Sequence, residues 1–84
     1  MTTSVTEEVL QDIEQKCAAA TPGPWKSYLE ARDGIVGTDF IQTDGEDIYL
    51  TGATHADYDF IASSRQDVPM LIAEIRRLRG LLGL

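Results

Sequence analysis

Cysteine, histidine and tryptophan each occur once in the 84 residues. A lone Cys17 excludes a disulfide within the chain, and with His55 the single imidazole, a zinc site of the usual cysteine and histidine type lacks ligands. Basic side chains are scarce as well: seven Lys and Arg stand against fourteen Asp and Glu, a net charge of -7. Such a surface repels nucleic-acid phosphates, so direct nucleic-acid binding is not expected. No apolar run approaches about 18 residues, and the first eight residues are polar and acidic, with neither a basic nor an apolar signal region. The expectation is a cytoplasmic protein, in a reducing setting, with no membrane span. No glycine-rich loop precedes a helix carrying a lysine, so phosphate cradling is unsupported and no cofactor is expected.

What is present fits a single domain over residues 1–84, because a chain this short has no room for a second core. After a flexible leader over 1–4, Val5, Val9, Leu10, Ile13, Cys17 and Ala20 recur at spacings of three and four. That period predicts an amphipathic helix over 5–20, capped by Ser4 or Thr3 and ended by Thr21-Pro22-Gly23-Pro24. From Trp25 the period becomes two, with Trp25, Ser27, Leu29 and Ala31 on one side. Asp33-Gly34 reads as a hairpin turn, Ile35 to Thr43 as a second strand, Thr43-Asp44-Gly45-Glu46 as another turn and residues 47–51 as a third strand. A three-stranded antiparallel meander over 25–51 follows. Thr54 begins a short helix over 54–65, and Asp67, with Pro69 in the first turn, begins another over 67–82. The expected fold is α+β, a small two-layer α-βββ-αα domain with its helices on one face of the sheet. Trp25, Leu29, Phe40, Ile48 or Leu50, Phe60, Leu71, Ile72 and Ile75 are the expected core.

The stretches AAATPGPW (18–25) and ADYDFIASSRQDVPMLIAEIRRLR (56–79) together resemble small proteins of phages and bacterial mobile elements, including the Ead-like phage family. The resemblance covers roughly the first 25 and last 30 residues, and its motifs are structural rather than catalytic. It implies a phage or mobile-element context and a non-enzymatic accessory role, with no active-site residues to carry over.

Candidate chemistry is thin. Cys17 lies on the apolar stripe of the first helix, where packing explains it better than nucleophilic reactivity. His55 and Asp59, one helical turn apart with Asp57 nearby, could form a metal site or an acid and base pair, but no third ligand on that face is predicted. Asp44-Gly45-Glu46-Asp47 lacks the alternating oxygen spacing of a calcium loop. Between residues 33 and 64 there are seven acids and no Lys or Arg. Asp33, Asp39, Asp44, Glu46, Asp47 and Asp57 are therefore the candidate binding surface for a basic protein partner, an inhibitor, immunity or anti-defence role. The alternative is a homodimer or larger self-assembly through Val68, Leu71, Ile75, Leu78 and Leu82, which follow a 3-4 spacing over two heptads. A small enzyme around His55 ranks third.

Overall fold

A computed structural model of the protein describes residues 4–83. The expected leader over 1–4, apart from Ser4, and Thr3 as a cap lie outside the described residues. Helix α1 spans Glu7–Ala19, strand β1 Lys26–Tyr28, the one-turn helix α2 Glu30–Asp33, strand β2 Phe40–Gln42, and helix α3 His55–Leu81. Thr6, not Ser4, caps α1: its Oγ1 accepts the Val9 N–H at 3.2 Å, with Glu7 and Glu8 in the favourable first turn.

The three-stranded meander is not formed. The two strands pair antiparallel, Ser27 opposite Ile41 and Tyr28 opposite Phe40, and the expected third strand contributes one bridge, Ile41 to Ile48. Two competing uses of the backbone explain the shortfall. After Tyr28 the Leu29 N–H is taken by Asp33 Oδ2 at 2.8 Å, while the Leu29 carbonyl accepts from the Arg32 and Asp33 amides. The chain closes into α2 there, and Gly34, at φ 68°, caps that helix rather than turning a hairpin. Past Ile48, the Leu50 N–H and C=O both bond the Tyr58 hydroxyl, at 3.3 and 3.1 Å, instead of a neighbouring strand.

The two closing helices are one. Thr54 and Asp57 form a reciprocal capping box at the start, and α3 then runs unbroken for 27 residues through Asp67 and Pro69. Side-chain tethers hold its middle. Gln66 accepts the Trp25 N–H at 2.7 Å and donates to the Trp25 carbonyl at 3.1 Å, while Arg65 Nε donates to the Thr21 carbonyl at 3.0 Å. With Tyr58 and Ala62 buried on one side of the proline and Ile72 on the other, packing fixes helical backbone across it.

The core is smaller than expected. Leu29, Ile41, Tyr58 and Ala62 form it, with Trp25, Ile48, Leu50 and Ile61 packed around. Phe40 points to the other face of β2, where its ring stacks on Tyr28 with centroids 5.2 Å apart, and Phe60 faces solvent. Farther along, Leu10 of α1 and Ile72 of α3 are buried where these two helices run antiparallel, Arg79 donating to the Val5 carbonyl and Arg76 bridging Glu7 and Glu14 at 2.6 Å each. The molecule is elongated, 52 × 30 × 20 Å with a radius of gyration of 16.0 Å. A compact chain of this length would be about 12 Å. The excess is a two-helix arm of α1 and the C-terminal half of α3, projecting beyond the sheet. No helix among the described residues is long and apolar enough to cross a membrane.

Candidate functional site

Three side-chain clusters could carry function, and two are already occupied by the fold. In the first, Ser27, buried on β1, donates to Asp59 of α3, and Arg32 of α2 donates to both Asp59 oxygens at 3.0 and 2.9 Å. Arg32 also pairs with Asp33 at 3.2 Å. The Ser27 hydroxyl, with Arg32 behind it, holds the Asp59 carboxyl below its ordinary range; the Leu29 amide, helped by Arg32, does the same for Asp33. Asp33, then Asp59, keep the Arg32 guanidinium firmly protonated. An ionised carboxylate saturated by donors is a weak base at neutral pH, so the cluster is a clamp joining β1, α2 and α3.

The sign of its pH dependence follows. Because both aspartates have folded-state values below the ordinary 3.8, their stabilisation is complete above that value and is lost as pH falls through the lowered one. Urea denaturation midpoints are expected to hold from pH 7 to about 4 and to fall below it. Asp59→Asn should flatten that fall; an unchanged slope would mean the clamp does not contribute.

In the second cluster His55 Nε2 lies 3.3 Å from Asp39 Oδ2, while Asp39 Oδ1 accepts the Glu30 N–H at 2.8 Å. The hollow beside them is lined by Glu30, Ala31, Asp39 and His55, with no hydroxyl or thiol to activate. Asp57 is turned into its capping box and Asp59 into the Arg32 clamp, so the histidine and the two aspartates do not converge. Among the described residues no group of three or more His, Cys, Asp or Glu could hold a metal ion.

The six acids singled out in the sequence are thus not one surface. Asp33, Asp39 and Asp57 each accept backbone amides within the fold. Asp44, Glu46 and Asp47 remain exposed on the 43–47 turn, with no ion pair recorded for them among the described residues. Thr43 stiffens that turn, its hydroxyl donating to the Glu46 carbonyl at 2.8 Å and accepting the Gly45 N–H at 2.9 Å.

The third cluster is the arm. On one side of the α1 and α3 pair, a groove of about 420 Å³ is lined by Ile13, Lys16 and Cys17 of α1 and its C-cap Ala20, and by Phe60, Ile61, Ser64 and Val68 of α3, with Trp25 at its end. Val9 precedes Ile13 by four residues and continues that side of α1; Leu71, Ile75, Leu78 and Leu82 continue that side of α3. Most of this face is wet: Val9 is 41% exposed, Leu71 56%, Leu78 45%, Phe60 and Leu82 73%. Val68 and Ile75 are half-buried. Both the five α3 positions expected to oligomerise and the half-buried Cys17 therefore lie on or beside one surface. What the sequence reading missed is the Arg32 clamp and the α1 half of this face; the signals were a lone arginine at the edge of an acidic stretch, and Val9 in phase with Ile13.

No protein-family model, curated protein or solved structure matches this chain. The likeness to phage accessory proteins rests on the quoted residues.

Proposed function

We propose that the chain is a non-enzymatic protein-binding module that works through the apolar face of its two-helix arm. The observation that carries this reading is continuity: the exposed Val9, Leu71, Leu78 and Leu82 lie along one side of an arm that projects from the body, and the exposed Phe60 extends that side toward the body. A continuous exposed apolar surface of this kind marks a protein interaction site. The polar clusters support it from the other direction, since their carboxylates are engaged by donors in the fold. A small accessory role in a phage or mobile element, as the TPGPW and DFIA segments imply, suits such a module.

The test is a photo-crosslinking residue placed at Leu71 or Leu78 in cells, with Ser63 and Arg77 on other sides of the helix as controls. Protein adducts are expected from the first pair and not from the second. No adduct from either leucine position would overturn the reading.

A second contact is favoured by the stiffened 43–47 turn, which presents Asp44, Glu46 and Asp47 together. Three carboxylates there attract a basic partner at a range set by the roughly 10 Å screening length in 0.1 M salt. Replacing them by Asn, Gln and Asn should slow association with that partner and flatten its salt dependence while leaving the melting temperature nearly unchanged. Unaltered association kinetics would place the contact on the arm alone.

A further inference from the structure

We infer that the occupant of the arm face is a second copy of this chain, paired in parallel along α3. The inference rests on the protein-binding reading above and names its partner. Because α3 is continuous through Pro69, the 3-4 spacing extends toward the N-terminus and completes three heptads. Ile61, Val68, Ile75 and Leu82 take the a positions; Ser64, Leu71 and Leu78 take the d positions. Three of the four a residues are β-branched and two of the three d residues are leucine, the combination that favours two parallel strands. The one polar seam residue causes no penalty from an unpaired hydroxyl, since Ser64 Oγ donates to the Phe60 carbonyl at 2.6 Å within its own helix.

Charge selects the orientation. On one flank of the seam, the g positions hold Asp67 and Glu74; on the other, the e positions hold Arg65 and Arg79 with the buried Ile72 between them. An antiparallel pair sets g against g and e against e, acid facing acid and arginine facing arginine. A parallel pair sets each g against the e position five residues later, which brings Glu74 of one copy, bonded in the monomer to its own Arg77, to Arg79 of the other, which in the monomer holds the Val5 carbonyl and Glu7; the contact forms twice by symmetry by sharing or exchanging those intrachain partners. The same register accounts for two exposures that the monomer leaves unexplained. Phe60, also at g, meets Arg65 at the wall of the other copy's 420 Å³ groove. Val5, whose carbonyl Arg79 holds, flanks the e side of α3, where the exposed Leu81 of the other copy comes alongside.

The experiment uses the full-length protein. Sedimentation equilibrium from about 1 to 100 µM is expected to show a monomer–dimer equilibrium, which Leu71→Glu with Leu78→Glu weakens by on the order of 100-fold or more. Both leucines are exposed in the monomer, so helical circular dichroism should survive the change. Orientation is read in a Cys17→Ala background: Leu78→Cys should form an interchain disulfide under mild oxidation, and Arg77→Cys, off the seam, should not. A chain that stays monomeric, or a dimer indifferent to the leucine pair, overturns the proposal. So does a dimer whose Leu78→Cys form does not crosslink. Adducts from Leu71 in cells to a different protein, with a monomeric isolated chain, would defeat the homodimer and leave the binding function standing; no adducts at all would remove both.

Discussion

Trp25→Ala is expected to cost about 3 to 5 kcal/mol, most of the roughly 5 kcal/mol that a domain of this size has to lose. The indole packs against Leu29, Ile41, Tyr58 and Ala62, and its Nε1 donates to the Thr21 carbonyl at 3.0 Å. Truncation leaves a void beside the core and removes one of the two donors on that carbonyl, the other being Arg65 Nε. The backbone of Trp25 keeps its paired bonds to Gln66, so the loss belongs to the side chain. Since Trp25 is the single tryptophan, urea unfolding of the variant should be followed by far-ultraviolet circular dichroism, at matched protein concentration because self-association would add stability. A midpoint close to wild type would show that the indole is peripheral to the core.

The periodicities that proved most legible were those with one dominant packing partner. The first helix, its acidic first turn and its proline stop were readable because α1 presents a narrow apolar stripe; so were the inward Ser27 of β1, the inward Leu29 just after it and the Thr54 cap. The sheet was overread because local turn chemistry is shared between structures. Asp33-Gly34 suits a hairpin, but it suits a one-turn helix closed by a left-handed glycine equally well, and the Leu29 amide capture by Asp33 decides between them. Residues 47–51 have strand composition, yet a hydroxyl 8 residues away takes the Leu50 backbone. Phe40 and Ile41 have the same hydrophobic signal on opposite faces, and only the Tyr28 stack and the body of α3 fix which goes inward. For the candidate surface, the five seam positions of α3 were visible as spacing. Their continuation to Ile61 and the α1 flank were not, because both depend on a helix that passes through a proline.

Pro69→Ala is expected to stabilise the protein by about 1 to 3 kcal/mol, and the sign of this effect separates one helix from two. Inside α3 the proline has no N–H to give the Arg65 carbonyl, four residues earlier, and its ring crowds that turn. Alanine restores the donor at little entropic cost, against a modest loss of ring contact in the groove it shares with Ala18, Ala73 and Arg76. Were 67–82 a separate helix capped by Asp67, the same proline would sit in a first turn where a missing amide costs little and a preset φ helps. Alanine would then be neutral or destabilising by up to about 1 kcal/mol. Thermal melts at several protein concentrations read both the sign and the assembly. Pro69 occupies a b position, away from the a and d seam, so a straighter α3 should raise the melting temperature while the concentration dependence stays the same. A lower melting temperature would mean that the helix breaks at Asp67, and the three-heptad seam with it.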